Sequence, residues 1–118
     1  MEVANVKAFV PSKDYEISKS FYNEIGFTAE FVSKDLTLFH NGESLFFLQN
    51  FYNKELAENF MLQICVTDIQ QAFEICSEAQ HKTKITPVQH ERWGKVFYLW
   101  GPSGELLHIT ELAAKEQF

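Results

Sequence analysis

The side chains best suited to bind a metal ion or to act as a nucleophile are four histidines and two cysteines. His40 falls at a predicted strand end, His81 at a predicted helix end and His90 in a polar loop. His108 stands alone in a predicted strand, and no ligand spacing relates the four. The sequence also has no glycine-rich phosphate loop and no nucleophile elbow. These residues alone therefore do not indicate a metal centre or a covalent catalyst.

The two cysteines are expected to be free thiols. Cys65 falls in a strand pattern and Cys76 on a predicted helix, and neither has the electropositive helix-start setting that makes a thiol reactive. Two cysteines in a chain of 118 residues do not form a disulfide framework. We therefore expect both thiols to be buried, in a reducing cytoplasm.

Aromatic side chains make up 15% of the chain, and 12 of them are phenylalanines. Such rings can fill a hydrophobic core or line a ligand pocket, and the sequence leaves both readings open. Trp93 lies at a predicted loop–strand junction, where a ring can overhang a groove. Tyr98 and Trp100 alternate with Phe97 and Leu99 along one strand, so one pair faces the helices and the other faces a cleft.

The formal net charge of −6 disfavours nucleic acid as a partner, because phosphate binding needs clustered basic residues. The charge is compatible with a cationic ligand, but an acidic surface also serves solubility. No apolar run approaches the roughly 20 residues of a membrane span. The first residues lack the basic and apolar segments of a secretory signal. We expect a cytoplasmic protein without nucleic-acid or membrane partners.

These candidate residues lie within an order of elements that occurs twice. Each copy reads as a strand, a helix opened by an aspartate (Asp14 or Asp68) and further strands ending in a turn-linked pair. The copies span residues 6–49 and 60–111 of a single domain covering 1–118. Neither half could bury its apolar face alone, so the two must pack and leave a cleft. The predicted fold class is α+β, with two βαβββ modules and a cleft-forming mixed sheet.

The hydrophobic pattern predicts strands at residues 6–10, 27–32, 36–40, 45–49, 60–66, 85–88, 95–100 and 106–110, and helices at 14–25 and 68–79. Pro11 is expected to end the first strand, because proline lacks a backbone donor. Residues 50–59 are predicted to form a packed loop or a short helical turn, and residues 89–92 a polar loop. The tail, 112–118, has a helical composition.

Several short motifs follow one another in a characteristic order. In the first half, Asp14 and Ser18 precede Phe21-Tyr22 and Gly26-Phe27. In the second half, Trp93-Gly94 precedes an aromatic strand, Gly-Pro-Ser-Gly (101–104) and Leu-Leu-His-Ile-Thr-Glu (106–111). This order resembles the vicinal oxygen chelate superfamily, which has the glyoxalase/bleomycin resistance fold. Gly101 departs from that superfamily, whose turn is usually Asp-Pro-x-Gly.

Within the superfamily the chain is most similar to the bleomycin resistance proteins. The shared features are Pro-Ser-Lys-Asp-Tyr (11–15), the Phe-Tyr pair, the aromatic Phe31 and Trp93-Gly94. This resemblance implies a non-enzymatic homodimer without a cofactor, which sequesters an aromatic or cationic small molecule in a cleft between subunits and so gives antibiotic resistance. Pro11 matches a proline associated there with exchange of the N-terminal strand. Leu36 replaces a tryptophan of that family, which points away from bleomycin itself as the ligand.

Enzymes of the superfamily hold a divalent metal with about four side chains. The resemblance places these positions at Lys7, Phe47, Met61 and His108, of which only His108 suits a divalent ion. It therefore implies no metal site and no catalytic residue. A metal-dependent glyoxalase- or dioxygenase-type enzyme stays open as the alternative if another register brings in Gln63 or Glu111. A third possibility is a subunit-pairing module with a filled pocket. The candidate ligand-binding residues are Phe31, Phe47, Phe60, Met61, Trp93, Tyr98 and His108.

Overall fold

The computed structural model describes residues 1–116. Three helices in this range are α1 (Tyr15–Glu24), α2 (Lys54–Glu58) and α3 (Ile69–Glu78). The strands are β1 (Phe9–Pro11), β2 (Thr28–Ser33), β3 (Leu36–Asn41), β4 (Ser44–Gln49), β5 (Met61–Cys65), β6 (Lys84–Ile85), β7 (Gln89–Glu91), β8 (Gly94–Trp100) and β9 (Leu106–Leu112).

The strands form two separate sheets, one from each copy of the repeat. The N-terminal sheet has the order β1-β4-β3-β2, and the C-terminal sheet has the order β5-β9-β8-β6, with β7 also paired to β8. In each sheet the first strand runs parallel to the last, and the other pairs are antiparallel. The α+β class and the mixed strand orientation are confirmed. Each half forms its own mixed sheet, and no strand of residues 1–116 pairs across the halves in the observed strand order.

The two aspartates that mark the repeat both cap helices. The Asp14 side chain accepts a hydrogen bond from the Ile17 N–H, and the Asp68 side chain accepts from the Gln70 and Gln71 N–H groups. These bonds satisfy donors that the first turn of a helix leaves unpaired. Both helices therefore begin where the sequence predicted.

A common hydrophobic core joins the helix-facing sides of both sheets. It contains Phe39 and Phe46 of the N-terminal sheet together with Phe97 and Leu107 of the C-terminal sheet. The Phe73 ring of α3 lies edge-on to Phe97, with centroids 5.3 Å apart. We call the side of each sheet that contacts this core its core face, and the opposite side its outer face. The helices thus lie between the halves, and the two outer faces turn away from the core.

Several predicted element boundaries are wrong; β6, for example, covers Lys84–Ile85 instead of 85–88. The first strand covers Phe9–Pro11, so Pro11 pairs with Gln49; an edge strand tolerates the missing donor. Residues 89–91 form β7 instead of a loop, because they pair with Gly94–Val96 of β8 across a two-residue turn. The last strand, predicted to end at residue 110, extends to Leu112, and the Ala113 N–H donates to the Trp93 carbonyl. The last two residues of the tail, 117–118, lie outside the described range.

Candidate functional site

The outer face of the C-terminal sheet presents cross-strand rows of side chains. The first row crosses four strands and consists of paired residues: Met61, Leu106, Trp100 and Lys84, in that order. In the next row Gln63 pairs with His108, and His108 with Tyr98. Paired residues point to the same side of a sheet, so these side chains share one face. Tyr98 and Trp100 therefore lie outward, and Phe97 and Leu99 lie in the core.

On this face the Tyr98 ring contacts both Trp100 and His108. The Tyr98 and Trp100 centroids are 6.4 Å apart, and the His108 ring lies edge-on to Tyr98 at 5.1 Å. The Lys84 Nζ lies 4.9 Å from the Trp100 centroid. All three rings are only partly buried, and neighbouring Met61 is 62% exposed. We call Tyr98, Trp100 and His108 the aromatic row. Partly exposed rings held by a rigid sheet are suited to contact a planar ligand.

The outer face of the N-terminal sheet is mainly apolar. Phe9 pairs with Phe47, whose ring lies 5.0 Å away, and Phe47 pairs with Leu38. Phe9 is 51% exposed although it occupies a strand. At the rim of this face the Glu30 carboxylate contacts His40 Nε2 at 3.3 Å. The repeat makes Phe9 and Phe47 the counterparts of Gln63 and His108, because each pair joins the first and last strands of its sheet.

The structure brings some of the predicted site residues together and separates others. Met61, Tyr98 and His108 share the outer face of the C-terminal sheet, and Phe47 lies on the outer face of the N-terminal sheet. The remaining three residues lie elsewhere. Phe60 packs against the core, and Trp93 lies in the turn before β8, at the end opposite Trp100. Phe31 is 83% exposed, but it is on the same side of its sheet as the buried Thr37.

Trp100 and Phe9 are outer-face rings that the candidate set from the sequence does not include. The two-residue period of β8 places the Trp100 side chain on the same side as Tyr98, so a candidate site that includes Tyr98 should also include Trp100. Phe9 could not be found in this way, because its pairing with Phe47 depends on the register of a parallel pair distant in sequence. Cys65 also lies on the outer face and is exposed, so the expectation that its thiol is buried is wrong.

The outer faces do not offer the ligands that a divalent metal needs. Met61 and His108 share one face, one row apart, with Gln63 directly opposite His108. The corresponding positions of the N-terminal half are Lys7 and Phe47, and neither binds a divalent ion at neutral pH. Within residues 1–116 no three His, Cys, Asp or Glu side chains lie close enough to hold a metal ion. The donor set therefore does not fit a metal centre of the superfamily.

A separate groove of about 360 Å³ lies between the halves, on the core side of the sheets. Ile25 and Phe27 line it from the N-terminal half, and Ile75 and Cys76 of α3 line it from the other. Burial raises the pKa of the Cys76 thiol to about 11, an effect that the nearby Lys82 charge only partly offsets. Cys76 is therefore a neutral thiol at physiological pH and not an activated nucleophile.

Comparisons with known proteins identify the fold. No family model matches the chain, and no curated protein matches it by sequence. A bleomycin resistance determinant encoded on transposon Tn5 matches with a TM-score of 0.77 at 18% identity, covering 93% of this chain and 98% of that one. The bleomycin-binding protein of Streptomyces verticillus, solved with copper(II)-bleomycin, gives 0.78 at 21% identity, with coverage of 96% and 99%. The chain has the glyoxalase/bleomycin resistance fold.

Further structures with this fold agree. An antibiotic-binding protein from Streptomyces sp. CB03234 matches with a TM-score of 0.81 at 16% identity, covering 96% of this chain and 99% of that one. A glyoxalase/bleomycin resistance protein/dioxygenase from Nocardioides gives 0.71 at 15% identity, covering 99% and 89%. The fold expected from the sequence motifs is confirmed. In the described residues, no helix is both long and apolar enough to cross a membrane.

Proposed function

We propose that this chain is a non-enzymatic binding protein that sequesters an aromatic small molecule, as an antibiotic-binding protein does. The observation that carries the proposal is the partly exposed aromatic row of Tyr98, Trp100 and His108 on a sheet face outside the core. The proteins of this fold that were solved with bleomycin or described as antibiotic-binding support the same reading. The ligand is proposed to contact Met61 as well, which borders the row.

We further propose that the protein acts as a homodimer in the cytoplasm. The outer faces leave Phe9 at 51% and Met61 at 62% exposure, which is unusual for apolar side chains in the strands of a folded sheet. A second copy could bring its N-terminal sheet opposite the C-terminal sheet of the first. Phe9 and Phe47 would then face the aromatic row across a cleft, and a ligand between them would lose water on both sides.

A thermal-shift screen tests the binding proposal. Planar aromatic compounds and antibiotics would be added singly, and a true ligand at 100 times its Kd stabilises the folded state by about 2.7 kcal/mol. For any ligand found, Trp100→Leu should weaken binding, since it removes a ring of the row. Phe51→Leu is the matched control, because Phe51 is an exposed ring in the linker before α2. Equal effects of the two substitutions would contradict the proposed site.

Oligomeric state is tested by size-exclusion chromatography with light scattering. The homodimer proposal predicts twice the chain mass of 13.7 kDa. Met61→Lys and Phe9→Lys should each shift the protein toward the monomer, since each places a charge in the proposed cleft. Ile75→Lys, an exposed apolar site on α3, should leave the mass unchanged. A wild-type mass of one chain at micromolar concentration would contradict the dimer.

A further inference from the structure

The charge of the ligand is open to inference, because charged groups are unevenly placed on the outer face of the C-terminal sheet. Lys84 ends the row that contains Trp100, with its ammonium group over the ring. The carboxylate that shares this face by strand pairing is Glu91, opposite Gly94. Gly94 lies six residues along β8 from Trp100, which is about 20 Å in an extended strand. The aromatic row is therefore near a positive charge and far from this negative one.

Other acidic groups do not compensate for Lys84. Glu111 faces Lys95 at 3.9 Å, and both are on the side of the sheet opposite the aromatic row. Glu58 lies beside Gly104, in the turn beyond the end of β8. On the N-terminal sheet the Glu30 carboxylate already contacts His40. Within residues 1–116 no carboxylate forms an ion pair with Lys84, so a cationic ligand at Trp100 would meet its unpaired positive charge.

We propose that the aromatic row selects a planar aromatic compound that carries a negative charge, such as a carboxylate or sulfonate, and not a cationic compound. This inference rests on the proposed binding function and narrows its ligand class. The ligand ring contacts Tyr98 and Trp100, and its anionic group pairs with the Lys84 ammonium. Pairing is favourable here because a bound ring excludes water from one side of the charge pair.

Two probes with the same ring and opposite charges test the inference. The purified full chain is titrated by calorimetry with naphthalene-2-sulfonate and, separately, with naphthalen-2-ylmethylammonium at low salt. The wild type is expected to bind the sulfonate about fivefold or more tightly than the ammonium probe, the size of effect that a partly exposed charge pair gives. Lys84→Met should remove this preference. Lys54→Met, an exposed lysine on α2, should retain it.

The outcomes separate the inference from the function on which it rests. Tighter binding of the ammonium probe, or a sulfonate preference that survives Lys84→Met, overturns the anionic-ligand inference and leaves aromatic binding in place. Failure of both probes to bind, with the variant and wild type equally folded by circular dichroism, contradicts both the inference and the proposed aromatic site. Two results together support both the inference and the proposed aromatic site: the sulfonate preference disappears in Lys84→Met, and binding of the probes is lost in Trp100→Leu.

Discussion

The Tyr22 hydroxyl donates a 2.8 Å hydrogen bond to the Glu105 carboxylate, and both side chains are completely buried. Tyr22 lies on α1 of the first half, and Glu105 follows the turn between β8 and β9 in the second. The other carboxylate oxygen accepts from the Ser103 N–H at 2.9 Å. The bond therefore links α1 of the first half directly to the β8–β9 turn of the second half.

Removing the Tyr22 hydroxyl should destabilise the whole fold. Tyr22→Phe leaves a buried carboxylate oxygen without its donor, and such a loss costs about 1–3 kcal/mol. Urea denaturation followed by circular dichroism measures the change. Tyr52→Phe is the matched control, since Tyr52 is an exposed residue and its hydroxyl should matter by less than about 0.5 kcal/mol. An equal, small effect of both substitutions would mean that the bond between the halves contributes little.

The buried carboxyl of Glu105 should make stability depend on pH. Burial raises its pKa above 4.5, and the hydrogen bonds from Tyr22 and the backbone offset this only in part. The folded state thus holds the proton more tightly than the unfolded state. Its contribution to stability is complete below pH 4.5 and is lost as the pH rises through the folded-state pKa.

Glu105→Gln isolates this effect, because the amide does not titrate. Gln also changes the hydrogen bonds, so the informative quantity is the slope of the free energy of unfolding against pH and not its value at one pH. The free energy of unfolding of the wild type minus that of the variant should decrease as the pH rises from about 4.5 toward neutrality. A difference that increases over this range would show that the folded state favours the charged carboxylate.

Gly101 gives room to the same carboxylate. A Cβ at this position would lie 2.5 Å from the Glu105 Cδ, and the carboxylate is held in place by Tyr22 and Ser103. Gly101→Ala should therefore destabilise the protein by about 1–3 kcal/mol, the usual cost of overpacking. The cost should be smaller in a Glu105→Ala background, where the clashing atoms are absent. A double-mutant cycle measures this coupling, and additive effects would contradict it.

The metal-free account makes a prediction about purified protein. Because Lys7, Phe47 and Met61 stand where the sequence resemblance places metal ligands, elemental mass spectrometry should find no stoichiometric zinc, manganese, nickel or iron per chain. Addition of EDTA should leave Tm unchanged, since no metal contributes to folding. One metal ion per chain, with a lower Tm after chelation, would support the superfamily's enzymes as the better comparison.

The repeat explains why much of the fold could be predicted from the sequence. Asp14 and Asp68 act locally, through caps that need only the next few residues, so the helix starts are readable from the chain. The β3–β4 and β8–β9 pairs have turns of a few residues that set their registers. The parallel pairs β1–β4 and β5–β9 have no such local signal, and the boundary at Pro11 was missed for that reason.

Less of the candidate site than of the fold could be predicted from the sequence. A two-residue period shows that Phe60 and Met61 point to opposite sides, but which side meets the core depends on helices distant in sequence. Gly101 stands where the resemblance led us to expect aspartate, and the sequence does not show the reason. Asp at this position would meet the Glu105 carboxylate, and their closeness arises only from the folded turn.

The measurement that tests the binding site most directly is a two-dimensional NMR titration of the indole N–H groups. The chain has two tryptophans, of which Trp100 belongs to the aromatic row and Trp93 lies in the turn before the other end of β8. With naphthalene-2-sulfonate added in the presence of EDTA, the Trp100 indole signal should shift and saturate, because ring currents act within a few ångströms. The Trp93 signal should move little. Saturable binding by calorimetry with an unchanged Trp100 signal would show that the ligand binds elsewhere and would contradict the outer-face site.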